Sequence, residues 1–282
     1  MSVVINTNVD STKIQNILTN ATSKLSASMQ RMSTGLKVKS AKDDAAGVVI
    51  AAKMQVQLNG NKIAQQNVQN ANAMLATAEG NIDVVQENLA RIRDLTLQAY
   101  NGTYSETEVT AMQDEVSQRI QEINRINDSS KFSDLQLFGG DELTAGAVIQ
   151  VGANKETHNS ITASGDIFND IGFNDITALG DAFSLANLST AKFSDAIEKL
   201  DNGINNLTNR KSKIGSAQNR LESALNTLTT QYENLSSAKS IITDADIASE
   251  ASNFTQQSIL QQVSTSLLAQ ANQAPSIALS LI

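Results

Sequence analysis

Residues 64–99 read AQQNVQNANAMLATAEGNIDVVQENLARIRDLTLQA. Within them Ala64, Val68, Ala71, Leu75, Ala78, Ile82, Val85, Leu89, Ile92, Thr96 and Ala99 recur at alternating steps of four and three. A hydrophobic repeat of about 3.5 residues keeps one helix face turned toward a neighbouring helix, the pattern of a coiled-coil seam. The seam stops at Asn101-Gly102, a pair suited to closing a helix with a left-handed residue. The same stepping returns as Phe193, Ile197, Leu200, Ile204, Leu207, Lys211, Ile214, Gln218, Leu221, Leu225, Leu228, Tyr232, Leu235, Lys239 and Ile242. At ~1.5 Å per residue this second helix is on the order of 75 Å long and needs another long element beside it. Its three polar seam residues, Lys211, Gln218 and Lys239, lower stability but help to fix register.

Shorter helices flank the two seams. Ile14, Leu18, Ala21, Leu25, Met29, Met32 and Leu36 form a stripe near the N-terminus, followed by a charged, small-residue connector over residues 37–47. Ser105 and Glu108 make a capping box ahead of Val109, Met112, Val116, Ile120 and Ile123. Thr243-Asp244-Ala245-Asp246 supplies a break and a new helix start. The last helix carries Leu260, Val263, Leu267, Ala271, Ala274, Ala278 and Leu281, with Pro275 its only breaker. Between residues 129 and 188 the periodicity is lost, and Gly, Asp, Asn and Thr punctuate short apolar runs that read as hairpins and loops on the outside.

The expected fold is therefore mainly α: an antiparallel long-helix coiled-coil rod with a small β-hairpin region between its N- and C-terminal halves. The segments are 1–40, a terminal helix; 41–56, a connector; 57–128, seam helices; 129–188, hairpins and a variable stretch; 189–242, the returning helix; and 243–282, a connector and terminal helix. Pairing the long helices can outweigh their ordering cost, because each buried seam residue contributes about 1 to 3 kcal/mol. The terminal helices are rich in Ala, Ser and Gln, and are expected to order mainly when neighbouring copies cover them.

Composition narrows the function. Aromatics are 4% of 282 residues, with no Trp and one Pro, so long helices rather than a compact aromatic core are favoured. A net charge of -8 and a pI near 4.7 oppose nucleic-acid binding. The absence of cysteine removes disulfides, thiolate metal sites and Cys nucleophiles. No stretch reaches the roughly 20 apolar residues of a membrane span, and Met1–Asp10 lacks the pattern of a cleaved signal. His158 stands alone in the irregular middle, away from any triad or metal spacing. Asp43-Asp44 reads as a solvated or ion-paired couple in a connector rather than an acid–base pair, and Gly139-Gly140 as a turn rather than a phosphate loop. No catalytic, metal or cofactor residue is assigned, and an enzyme is not expected.

Three motifs resemble one family. Arg31-Met32-Ser33-Thr34-Gly35-Leu36-Lys37-Val38-Lys39-Ser40-Ala41-Lys42-Asp43-Asp44-Ala45-Ala46-Gly47 resembles the N-terminal signature of bacterial flagellins, and Val3-Ile5-Asn6-Thr7-Asn8 fits their opening. Gln256-Ile259-Leu260-Gln261-Gln262 with Leu267-Leu268-Ala269-Gln270-Ala271-Asn272-Gln273 is similar to their C-terminal signature. Gln218-Asn219-Arg220-Leu221 leading to Asn234-Leu235-Ser236-Ser237-Ala238-Lys239 falls where flagellins place the returning helix.

The resemblance implies an extracellular filament subunit for swimming motility, exported unfolded without signal cleavage and added beneath a distal cap. It implies inner-tube assembly through Ile14, Leu18, Leu25, Met32, Leu260, Val263, Leu267, Ala271, Ala274 and Leu281. It also implies a homopolymer of many copies, cap and hook-junction partners, and an export chaperone at the C-terminal helix. A flagellin-sensing Toll-like receptor is implied to read Arg91, Leu95 and Glu115 on the free monomer. The alternatives are the hook-filament junction protein, which shares these ends, and a secreted coiled-coil binding module.

Overall fold

The structure, a computed structural model, describes residues 7–169 and 190–279, with side chains placed from 192 to 273 in the second span. Val3, Ile5, Asn6, the stretch 170–189 and Leu281 lie outside the described residues, as does the side chain of Ala274. The described chain is mainly helical: α1 is Val9–Thr34, α2 Ala45–Tyr100, α3 Glu106–Ser129, α4 Thr190–Thr243 and α5 Ile247–Leu279. Among the described residues between α3 and α4, two antiparallel strand pairs form. Strand β1 (Lys131–Phe132) pairs with β2 (Leu135–Gln136), and β3 (Ala147–Gln150) pairs with β4 (Ser160–Ala163). Two compact units form, one from residues 57–233 and the other from 1–56 together with 234–282.

In residues 57–233 the seams predicted from sequence become the core. Val68, Leu75, Ile82, Val85 and Leu89 of α2 are buried with Leu200, Leu207, Ile214, Leu221 and Leu228 of α4, and Val116 and Ile123 of α3 join the same cluster. Polar pairs hold the antiparallel register. Arg93 meets Asp201 at 2.6 Å, Lys211 meets Asp83 at 2.5 Å, and the Gln218 amide donates to Glu79 at 3.4 Å. The Tyr100 and Phe193 rings stack with centroids 3.9 Å apart.

Helix α3 starts as the sequence predicts, with the Ser105 amide donating to the Glu108 carboxylate at 2.7 Å. The end of α2 differs from expectation. The helix stops at Tyr100, yet neither Asn101 nor Gly102 takes a left-handed conformation, so the chain leaves through a bend instead.

The middle region also departs from the expectation that it lies outside. Leu137, Phe138, Leu143, Ile149, Ile161, Ile167 and Phe168 are buried in the core of residues 57–233. Phe138 and Phe168 are fully covered, and the Gly139 amide donates to the Phe168 carbonyl at 3.2 Å. A two-stranded hairpin is marginal by itself, so these pairs depend on apolar anchors set into the helices. The β3–β4 hairpin reaches α2 as well: the Asn67 amide donates to the Gln150 carbonyl at 3.3 Å, and Gly60 leaves room for Ala153.

Shortening Leu75 or Leu221 to Ala should cost about 2–5 kcal/mol, read as a lower urea midpoint at unchanged slope. Unchanged midpoints for both variants would contradict the assignment of these seams as the core.

Candidate assembly surface

In the unit formed by 1–56 and 234–282, α1 and α5 pair in antiparallel fashion. The Asn8 amide donates to the Ala271 carbonyl at 2.8 Å, Ser11 to Asn272 at 2.9 Å, and Gln261 to Thr22 at 3.2 Å. Arg31 lies 3.9 Å from Glu250. Asn8 also caps α1, accepting from the Ser11 amide at 2.9 Å.

On α1 the covered face runs through Ile14, Leu18, Ala21, Leu25, Ser28 and Met32, with Ala21 and Ser28 buried and the others half-buried. Ser28 takes the place that the sequence stripe gave to Met29, which points outward. On α5 the covered face is Glu250, Phe254, Gln257, Gln261, Ser264, Leu268 and Ala271. Among the described residues it holds three apolar ones, Phe254, Leu268 and Ala271.

The apolar content of α5 lies mostly on its other side. Ile259 is 55% exposed, Val263 48%, Leu267 47%, and Leu260 is exposed too. Ile17 and Met29 of α1 are likewise more than half exposed. Thus Ile14, Leu18, Leu25, Met32 and Ala271 face within the chain, whereas Leu260, Val263 and Leu267 face away from it. A helix apolar on two faces has one partner here and lacks a second. Sequence periodicity found the outward stripe of α5 but passed over Phe254 and Leu268. The polar residues between them broke the inward pattern.

The connectors between these helices form a compact junction. The Lys37 amide donates to the Thr243 carbonyl at 2.7 Å, and the Ala245 amide to the Gly35 carbonyl at 2.9 Å. Gly35 closes α1 in the left-handed conformation at φ 70. Helix α2 begins at Ala45, inside the stretch expected to be connector, because Asp44 caps it by accepting from the Ala46 and Gly47 amides, each at 3.0 Å. Gly47 permits this: a Cβ there would overlap the Asp44 carboxylate. Asp246 starts α5 in the same manner, accepting from the Ala248 amide at 3.0 Å. Lys239 donates to Gln55 at 2.5 Å, giving the third polar seam residue its partner.

Asp43 has a separate task. It accepts from the Ser40 hydroxyl at 2.9 Å and from the Ser40 and Lys39 amides at 3.0 and 3.3 Å. These hydrogen bonds, that of the Ser40 side chain first, hold its carboxyl below the usual range. Asp43 and Asp44 are therefore turn and cap groups.

The second candidate patch lies on α2 and α3. Arg91 donates to both carboxylate oxygens of Glu115, at 3.0 and 3.3 Å, and Arg119 donates to Glu115 at 3.0 Å and to Asn88 at 3.0 Å. The Arg91 and Arg119 hydrogen bonds keep the Glu115 carboxyl below its usual range. Arg91 and Glu115 are thus brought together on the surface. Leu95, the third residue of that patch, is buried at 2% exposure and packs in the core.

His158 is largely exposed, 3.8 Å from Glu156. Among the described residues no three His, Cys, Asp or Glu cluster to hold a metal, and no helix is long and apolar enough to cross a membrane.

Long paired helices with an apolar face left exposed on α5 define a class: a helical protein suited to packing against further helices. Comparison with known proteins gives the family. Residues 5–143 match the bacterial flagellin N-terminal helical region, and residues 197–282 match the bacterial flagellin C-terminal helical region. The chain is 36% identical to a flagellin of Xenorhabdus nematophila, with 100% of both chains covered, and 34% identical to a flagellin of Bacillus subtilis (strain 168), with 99% of both covered. It is 31% identical to a flagellar filament 30.7 kDa core protein of Treponema maltophilum, with 96% of both covered. In fold it is similar to a provisionally assigned flagellar hook-associated protein of Vibrio parahaemolyticus at a TM-score of 0.60 and 19% identity, covering 71% of this chain and 99% of that one. The chain belongs to the bacterial flagellin family. It is a structural filament protein and not an enzyme.

Asp43 sets a pH dependence. Its folded pKa lies below the unfolded value of about 3.9, so its contribution is present above that value and is lost as pH falls through the lower, folded one. In an acid titration followed by NMR, the Ser40 amide should shift below the ordinary Asp range in the native chain and stay flat in Asp43→Asn.

Proposed function

We propose that copies of this chain polymerise into an extracellular flagellar filament through the outward apolar face of α5, with the exposed residues of α1 contributing. The observation that carries this reading is the placement of Ile259, Leu260, Val263 and Leu267 in solvent while the opposite side of the same helix is already covered by α1. Covering one such side chain contributes about 1.5–3 kcal/mol, so a handful repeated along a polymer outweighs the cost of ordering each added subunit. Ile14, Leu18, Leu25, Met32 and Ala271 act one step back, by fixing α1 against α5 so that the outward face is presented in one register. The filament then transmits torque through helix–helix contacts, and alternative packings of those contacts set its helical shape.

Export without a cleaved signal, a chaperone at α5, and capping and hook-junction proteins at the filament ends complete the proposal. All of them suit an uncovered apolar helix, which needs shielding before assembly and a complementary surface at each end. The hook-filament junction reading is less favoured, since agreement with flagellins extends along the whole chain at 34–36% identity.

Replacing Val263 and Leu267 together by Asp should leave the urea midpoint of the free chain close to wild type and raise the critical concentration for polymerisation by about tenfold or more. Sedimentation and negative-stain microscopy read this directly. Normal filaments from that variant would overturn the proposed surface.

We further propose that Arg91, Leu95 and Glu115 mark the stretch of the free chain that a flagellin-sensing receptor reads, with Arg91 and Glu115 its exposed part. Support comes from their shared ion pair on an exposed helix flank. Arg91→Glu should weaken receptor signalling by the monomer, measured in a reporter-cell assay; full signalling would remove the patch.

A further inference from the structure

We propose that Asn101 is a site of spontaneous deamidation, selected by the fold from three Asn-Gly pairs in the chain. Those pairs are Asn59-Gly60, Asn101-Gly102 and Asn202-Gly203. Glycine after asparagine favours the reaction because no side chain hinders the following backbone nitrogen. Composition therefore treats all three alike, and the structure does not.

Asn59-Gly60 lies inside α2 and Asn202-Gly203 inside α4. In a continuous helix the glycine N–H donates to the carbonyl four residues earlier, and the backbone angles that bring an Asn side chain onto the next nitrogen are not accessible. Asn101-Gly102 sits just beyond the last residue of α2, in an exposed bend that separates it from α3. The Gly102 N–H donates to the Tyr100 carbonyl, two residues back, at 3.0 Å, rather than to a carbonyl four residues earlier. Nothing lies within 4 Å of the place where a Gly102 side chain would be. No side chain or backbone therefore crowds that side of Gly102, and the pair lies outside the helical hydrogen-bond ladder that holds the other two.

The chemistry needs only water. The Gly102 backbone nitrogen, on losing its proton, attacks the side-chain carbonyl carbon of Asn101. A carbon–nitrogen bond forms, the bond from that carbon to the amide nitrogen breaks, and ammonia leaves carrying the proton. The resulting five-membered succinimide is opened by water at either carbonyl, giving aspartate or isoaspartate. No electron is gained or lost. Either product adds a negative charge between the C-terminal end of α2 and the acidic first turn of α3, which holds Glu106 and Glu108.

The test is to incubate the full chain at mildly alkaline pH and follow all three pairs in one sample by peptide mass mapping, with isoaspartate read by enzymatic methyl transfer. Asn101 should convert at least about tenfold faster than Asn59 or Asn202, whose helices must first open. The product should include isoaspartate, and Gly102→Val should suppress it. In denaturing urea the three rates should converge, because the selectivity belongs to the fold. Equal rates in the native chain, selectivity that persists in urea, a product of aspartate alone, or unchanged conversion in Gly102→Val would each overturn the proposal.

Discussion

Burial of the seam between α2 and α4 is the constraint on which residues 57–233 depend. Fully covered Leu, Ile and Val side chains such as Leu75, Ile82, Leu89, Leu207 and Leu221 supply the favourable energy, and without it neither long helix would hold its order. A heptad seam alone tolerates slippage. The polar flank removes that freedom: Asp83 and Arg93 on one helix lie ten residues apart, as do their partners Lys211 and Asp201 on the other. These ion pairs are too exposed to add much stability, so their value lies in fixing register and direction. The hairpins follow from the same core, because Phe138 and Phe168 need its apolar wall.

Residues 1–56 and 234–282 obey a different balance. The contact between α1 and α5 is built from Ala, Ser, Gln and a few larger apolar groups, with Arg31 and Glu250 near one end. The larger apolar side chains of α5 turn the other way. A chain that satisfied itself fully here would have nothing to offer its neighbours, whereas one with an uncovered face gains stability by adding to a polymer.

Between those helices, the bonds joining Gly35, Lys37, Thr243 and Ala245 and the caps from Asp44 and Asp246 make a defined corner out of what looks like loop. Apart from Lys37, which takes part through its backbone amide, the residues that set it are small or acidic, because backbone amides at helix starts need short acceptors and close approach. The place of Gly35, Lys37 and Asp44 in the N-terminal motif is accounted for by this geometry.

The sequence by itself determined the helices, the seams and some of the caps, since these are written in local spacing: the four-and-three steps of Ala64 to Ala99, the Ser105–Glu108 box, the acidic start of α5; the end of α2 at Asn101-Gly102 and its start at Asp44 were not legible there. It also determined the family, through motifs near both ends. Only the tertiary structure decided which stripe of α5 faces its own chain, because Val263 and Leu267 offer as good an apolar period as Phe254 and Leu268, and periodicity names no partner. It decided as well that Leu95 lies inward while Arg91 lies outward, and that Phe138 and Phe168 enter the core. Burial is settled by what packs across from a residue, and that information is carried by segments far away in the chain.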